Sequence, residues 1–123
     1  MTDILIVDDS AAFRQMLKRI VISRFPSVKI VGAKDGKEAI EKAREEPPRL
    51  IFMDVRLPGE NGFQVTRKIK AAHPEIPVII MTSYESPEYR ETAHDSGADS
   101  FFSKKSSSTA DILKMVESIL FPI

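Results

Sequence analysis

The stretch ILIVDD at residues 4–9 decides the fold, because four apolar residues end abruptly at two acids. Two further stretches have the same form: LIFMD at residues 50–54 and VIIMT at residues 78–82. Each apolar run is too short for a helix and consists of residues that favour strands, which is typical of strands buried on both faces of a parallel sheet. We therefore predict three central strands, each followed by a polar residue.

Two weaker runs, at residues 28–33 and 100–103, are predicted to be edge strands. The first partly alternates, since Lys29 lies between two apolar residues. The five strand starts, near residues 4, 28, 50, 76 and 100, are separated by 22 to 26 residues. Strands that alternate regularly with helices imply an α/β fold with a parallel sheet and helices on both faces. Strand order 2-1-3-4-5, the doubly wound flavodoxin-like arrangement, places the three apolar strands in the centre.

Apolar residues at helical spacing, together with capping residues, predict a helix after each strand. Ser10, Asp35 and Ser86 are predicted N-caps, and Pro87 suits the first position of the fourth helix. The first helix is expected to place its apolar residues on the core, namely Phe13, Met16, Leu17, Ile20 and Val21. The last helix is strongly amphipathic, with Ile112, Leu113, Val116, Ile119 and Leu120 at helical spacing. These signals give five βα units in one domain.

Composition excludes several classes of protein. The chain has 123 residues, 18 basic and 18 acidic, and this balance argues against direct binding to nucleic acid or to a membrane surface. It contains no cysteine, which excludes disulfides and thiolate chemistry. No apolar run is long enough to cross a membrane, and the first residues do not resemble a signal peptide. We expect a single cytoplasmic domain over residues 1–123, without an output domain.

Polar residues that could share one site follow the first, third, fourth and fifth predicted strands. In a parallel sheet the carboxyl ends of the strands meet at one edge, where ligands bind. The residues expected at that edge are Asp8, Asp9, Asp54, Thr82 and Lys104. Clustered carboxylates repel one another, so they either hold protons or recruit a cation. Oxygen ligands favour Mg²⁺, whereas zinc is unlike this site because His73 and His94 lie away from the strand ends.

These motifs resemble the receiver domain of two-component response regulators, especially chemotaxis-type receivers. The resemblance covers essentially the whole chain and rests on the sequences ILIVDDS at 4–10, MDVRLPGENG at 53–62, MTS at 81–83 and FFSK at 101–104. It implies a signalling phosphoprotein rather than a turnover enzyme. Such a domain catalyses its own phosphorylation and slow dephosphorylation, and nothing more.

The resemblance also implies a role for each matching residue. Asp54 would accept the phosphoryl group from a phosphohistidine, and Thr82 and Lys104 would contact the phosphoryl oxygens. Mg²⁺ would be held by Asp8, Asp9, Asp54 and the backbone carbonyl of Arg56. Phe101 occupies the position of the switch aromatic, which responds with Thr82 by remodelling the face formed by the fourth helix, fifth strand and fifth helix. The family often has Pro after its Lys, whereas this chain has Lys105.

The implied partners are a histidine kinase or phosphotransfer protein and a downstream output protein or output domain outside this chain. A phosphorylation-dependent dimer is a further expectation. One alternative is a degenerate receiver that binds proteins without being phosphorylated. Another is a Mg²⁺-dependent phosphatase with an aspartyl nucleophile, but Arg56 stands where such enzymes usually have a second Asp. The resemblance also implies that Arg56 and Tyr84, both bulky, border the path of hydrolytic water, which predicts a persistent phosphorylated state.

Overall fold

The computed structural model of the chain describes residues 1–83 and 86–123. Strands and helices alternate along these residues, and each strand is followed by a helix. In chain order the elements are β1 (Ile4–Val7), α1 (Ala11–Arg24), β2 (Ile30–Ala33), α2 (Gly36–Glu45), β3 (Leu50–Asp54), α3 (Gly62–Ala72), β4 (Val78–Thr82), α4 (Pro87–Asp95), β5 (Ser100–Ser103) and α5 (Thr109–Leu120).

All strand pairs are parallel, and the sheet order is β2-β1-β3-β4-β5. The predicted fold class and order are therefore confirmed. The central strands β1, β3 and β4 are buried along their whole length, as their continuous apolar sequences indicate. β2 begins at Ile30 rather than at the predicted residue 28, and Val28 is buried just before it. β3 and β4 each extend one residue beyond the predicted apolar run, so that they include Asp54 and Thr82.

The helices cover the sheet in two layers, each with its own core. α1 and α5 pack on one face, where Leu17 and Val116 lie among side chains of the central strands. α2, α3 and α4 pack on the other face, where Val65 and Ala93 are buried. Met16 departs from the predicted helix face, because its side chain is 45% exposed. In the described part of the chain, no helix is both long enough and apolar enough to span a bilayer.

Helix ends follow the capping chemistry read from the sequence. Ser10, Asp35 and Ser86 each accept a hydrogen bond from the backbone N–H three residues later. Pro87 begins α4, and Gly97 follows that helix with a φ of 94°, a left-handed conformation that favours glycine. Because α1 and α4 follow parallel strands of one sheet, their N-termini lie at the carboxyl edge of that sheet.

Candidate functional site

Strand register brings three carboxylates together at the carboxyl edge of the sheet. Val7 of β1 pairs with Met53 of β3, so Asp8 and Asp54 follow at the same height on neighbouring strands. Asp8, Asp9 and Asp54 each offer a carboxylate oxygen, and these oxygens lie within 4.8 Å of one another. Asp8 and Asp54 are buried, whereas Asp9 is exposed. The predicted convergence of the three acids is present in the structure.

Lys104 bridges the two buried acids from the end of β5. Its Nζ lies 2.6 Å from Oδ2 of Asp8 and 3.3 Å from Oδ1 of Asp54. The backbone N–H of Lys104 donates to the carbonyl of Thr82 at 2.8 Å, which places the two residues side by side at the ends of β5 and β4. Thr82 is buried. The five residues expected at this edge therefore form one site.

Phe13 also belongs to the site, although its sequence position indicated only a core residue. Nζ of Lys104 lies 4.1 Å from the centroid of the Phe13 ring, within the range of a cation–π interaction. Phe13 is half-buried and packs at the margin of the core between α1 and α5. Spacing along α1 assigns Phe13 to the apolar face, but it carries no information about a partner 91 residues later in the chain.

Two hydrogen bonds, one to the side chain and one to the carbonyl of Asp8, fix the turn that carries this residue. The N–H of Ser10 donates to Oδ1 of Asp8 at 2.9 Å, and Nη1 of Arg14 donates to the carbonyl of Asp8 at 2.5 Å. The Arg14 side chain reaches this carbonyl by crossing Gly32 of β2. A Cβ at Gly32 would lie 3.0 Å from Cδ and Nε of Arg14, so a glycine suits this crossing. Sequence analysis did not identify Arg14 or Gly32 as neighbours of the site.

The backbone around Asp54 is held by Gly62. The N–H of Gly62 donates to the carbonyl of Val55 at 2.8 Å, and a Cβ at Gly62 would lie 2.0 Å from the carbonyl oxygen of Asp54. Only glycine permits this approach. The N–H of Val55 donates to Oδ1 of Asp54 at 3.0 Å, which orients the carboxylate.

Burial raises the pKa of Asp54 from 3.8 to about 6. The negative charge of Asp8 contributes to this rise in pKa, while Lys104 and the Val55 N–H oppose it. The direction reflects a carboxylate that is removed from water and placed beside a like charge. Near neutral pH the Asp54 carboxyl is therefore mostly ionised, but at an energetic cost.

The donor set fits a divalent cation with a preference for oxygen. Asp8, Asp9 and Asp54 supply carboxylate oxygens close enough together to share one ion, and the exposed Asp9 opens the site to solvent. Mg²⁺ commonly binds through one or two carboxylates and retains water and phosphate oxygens. Arg56, whose backbone carbonyl was assigned to the metal by resemblance, follows Val55 in the loop between β3 and α3.

The aromatic residue of the expected switch lies in β5, the strand that leads to Lys104. Phe101 is half-buried in β5, and the guanidinium carbon of Arg90 in α4 lies 5.1 Å from the centroid of its ring. Ala93 is the buried residue of α4 within the part of the chain that the structure describes. Tyr89 packs edge-on against Phe63 at 5.8 Å between ring centroids. Tyr84, named above for its effect on hydrolysis, lies outside the described residues.

Comparison with known proteins identifies the same architecture. Residues 4–117 match the family model described as the response regulator receiver domain. The chain is 32% identical over 120 residues to response regulator GacA of Pseudomonas viridiflava, covering 97% of this chain and 54% of that protein. It is 38% identical over 120 residues to a protein-glutamate methylesterase/protein-glutamine glutaminase of Methanococcus maripaludis, covering 95% of this chain and 33% of that protein.

Among solved structures, a two-component response regulator from Clostridium difficile superimposes with a TM-score of 0.88 at 27% identity. The match covers 98% of this chain and 96% of that one. The chain thus spans about half or less of the length of the two relatives named above, but nearly all of this solved structure.

Proposed function

The chain belongs to the family of response regulator receiver domains, and from that premise we propose that Asp54 accepts a phosphoryl group from a phosphohistidine of a partner kinase or phosphotransfer protein. One observation supports this most directly. Asp54 is a buried carboxylate beside Asp8 and Asp9, and Lys104 contacts it at 3.3 Å. A nucleophile, oxygen ligands for a cation and a fixed ammonium are therefore available within one pocket.

The proposed reaction transfers phosphorus from nitrogen to oxygen. An oxygen of the Asp54 carboxylate attacks phosphorus, a P–O bond forms, and the P–N bond of phosphohistidine breaks. The electron pair of that bond returns to the imidazole of the donor, which takes a proton. Because Oδ1 of Asp54 accepts from Val55 and lies near Lys104, we assign the attack to Oδ2. Such transfers depend mainly on positioning and on compensation of negative charge.

The chain's own side chains supply this positioning. The Val55 N–H fixes the rotation of the Asp54 carboxylate, and the neighbouring Thr82 and Lys104 would donate hydrogen bonds to phosphoryl oxygens. Asp8, Asp9, Asp54 and the carbonyl of Arg56 would hold Mg²⁺. When bound, the ion would neutralise negative charge on the carboxylates and on the phosphoryl group.

The proposed output is a change on the face formed by α4, β5 and α5. Thr82 lies at the end of β4, and Phe101 lies on the adjacent strand β5. Movement of Thr82 toward the phosphoryl group would open space that the Phe101 ring then enters. Because α4 buries little apolar surface within the described residues, it is the element of this face that moves at least cost.

The biological setting of this chemistry belongs to the proposal as well. The chain would act in the cytoplasm as one receiver domain over residues 1–123, between a histidine kinase and an output protein or output domain, and without contacting nucleic acid. The receiver would catalyse only its own phosphorylation and slow dephosphorylation. Phosphorylation would also favour a dimer. The degenerate alternative is less well supported, because Asp9, Asp54, Thr82 and Lys104 are all present and adjacent.

The test is the intact mass after incubation with acetyl phosphate and Mg²⁺. We expect one added phosphoryl group that hydroxylamine removes and that Asp54→Asn does not acquire. Asp95→Asn, which alters an exposed Asp in the last turn of α4, is the matched control and should be phosphorylated like the parent. No added mass would support the degenerate receiver, sustained release of phosphate would support the phosphatase, and labelling of Asp54→Asn would contradict the assignment of the acceptor.

A further inference from the structure

The ammonium of Lys104 has two kinds of neighbour, carboxylates and an aromatic ring. Its Nζ contacts two carboxylates, Asp8 at 2.6 Å and Asp54 at 3.3 Å, and lies 4.1 Å from the centroid of the Phe13 ring. The Lys104 side chain is 16% exposed. An aromatic face attracts a cation through its quadrupole but provides no lone pair that would occupy an N–H donor. The ring therefore stabilises the ammonium without competing for the hydrogen bonds that anionic oxygens require.

The position of Phe13 at the start of α1 holds its ring in place against the Lys104 ammonium. Phe13 lies in the first turn of α1, directly after the Ser10 cap, and the same segment carries the Arg14 contact to the Asp8 carbonyl. The ring also packs against the core between α1 and α5, which holds it in place. A lysine ammonium is a point charge on a flexible four-carbon chain, so its position depends on what surrounds it.

We propose that Phe13 is a positioning residue for phosphoryl transfer, which acts by holding the Lys104 ammonium at the pocket through its aromatic face. The effect of Phe13 on phosphoryl transfer rests on the proposed function, whereas its contact with Lys104 does not. The contact between ring and ammonium is a property of the folded protein. Loss of the aromatic face would let water reach the ammonium and let the lysine chain sample other rotamers, so a smaller fraction of molecules would present Lys104 to an incoming phosphoryl group.

The experiment changes the ring's electrostatics while largely preserving its size. Phe13 is replaced with mono-, di- and trifluorinated phenylalanine, which progressively weaken the negative face, and with Leu in a separate variant. The matched control is the same series at Phe25, whose ring lies 5.6 Å from the guanidinium carbon of Arg24 at the far end of α1. The first measurement is the rate of phosphorylation by acetyl phosphate at fixed Mg²⁺.

We expect the rate to fall stepwise with fluorination at position 13, by about threefold to about tenfold for the trifluorinated ring, which corresponds to the usual strength of a partly desolvated cation–π contact. Phe13→Leu should resemble the trifluorinated variant, and the Phe25 series should leave the rate unchanged. A rate that is independent of fluorination at position 13, or that falls equally in both series, would overturn the inference.

A second measurement does not depend on phosphorylation. The unfolding equilibrium of the metal-free protein is measured for the Phe13 series in the parent and in Lys104→Met. We expect fluorination to lower the equilibrium constant for folding about threefold or more in the parent and to have no graded effect in Lys104→Met. Equal slopes in the two backgrounds would overturn the inference. If Lys104→Met does not fold, Lys104→Gln, which also removes the cation, takes its place in the same comparison. A parent that takes up no phosphoryl group would refute the proposed function while this measurement still tests the contact.

Discussion

Replacing Asp54 with Asn is expected to stabilise the metal-free protein at pH 7, although it removes the proposed acceptor. The carboxyl pKa of Asp54 rises from 3.8 to about 6 on folding, because the group is buried beside Asp8. This pKa difference is about 2.2, and each pKa unit corresponds to about 1.36 kcal/mol. Ionisation of Asp54 is therefore about 3 kcal/mol more costly in the folded state than in the unfolded chain. Asn is similar in shape and carries no charge, so the variant avoids this cost.

The sign of the pH dependence follows from the same values. The folded protein keeps the Asp54 proton up to about pH 6, whereas the unfolded chain loses it near pH 4. Between these values the folded state binds more protons, so the parent's free energy of unfolding falls as pH rises. The destabilisation caused by ionising Asp54 is absent well below pH 4, reaches about half its full value near pH 5, and is nearly complete at pH 7.

Urea unfolding at several pH values between about 5 and 7.5, in the presence of a chelator, measures this effect. The stability of Asp54→Asn relative to the parent should increase by roughly 1–1.5 kcal/mol between pH 5 and pH 7. Asp95→Asn, an exposed change outside the pocket, should differ from the parent by less than about 0.5 kcal/mol at each pH. A difference between Asp54→Asn and the parent that does not change with pH would refute the reasoning, as would a variant that is less stable than the parent at pH 7.

Three further outcomes follow from the site. Asp9→Asn should lower the affinity for Mg²⁺ at least about tenfold in a calorimetric titration, because it removes an exposed ligand; an unchanged affinity would contradict the site. Gly62→Ala should lower the free energy of unfolding by more than about 2 kcal/mol in urea, because its Cβ would overlap the Asp54 carbonyl; full stability would show that the loop adjusts freely. Arg56→Asn should shorten the lifetime of the phosphorylated state, followed by intact mass, because a bulky side chain no longer obstructs water; slower or unchanged loss would reject obstruction.

The strand pattern was predictable because it depends on short-range chemistry. Runs such as ILIV at residues 4–7 are buried on both faces, and their continuous apolar character distinguishes them from the edge strand β2, where Lys29 precedes a half-buried run. The order 2-1-3-4-5 meets the requirement that the most apolar strands lie in the centre, and the family resemblance implies the same order. Capping residues such as Ser10 were equally readable, since a cap contacts a backbone N–H only three residues away.

Contacts between distant segments were predictable only where topology imposes them. Parallel strands bring Asp8 and Asp54 to the same edge whatever their side chains do, and the acidic cluster was therefore expected. The contact of Phe13 with Lys104 depends instead on the rotation of α1 about its axis, which packing between α1 and α5 determines. Met16 shows the same limit: its spacing predicts burial, yet the rotation of α1 leaves its side chain 45% exposed.

The pocket places two demands on Lys104 that involve the same N–H groups. In the folded protein its ammonium bridges Asp8 and Asp54, and this pairing compensates two buried negative charges. In the proposed reaction the same ammonium donates to phosphoryl oxygens, so it contributes less to the carboxylates at the moment when further negative charge enters the site. A buried carboxylate that loses its partner costs several kcal/mol, on the order of 3–5. The same acids are oxygen ligands suited to a divalent cation, so in the proposed reaction a bound cation would supply the positive charge that lets Lys104 leave the carboxylates, and the Phe13 ring would limit how far the ammonium moves.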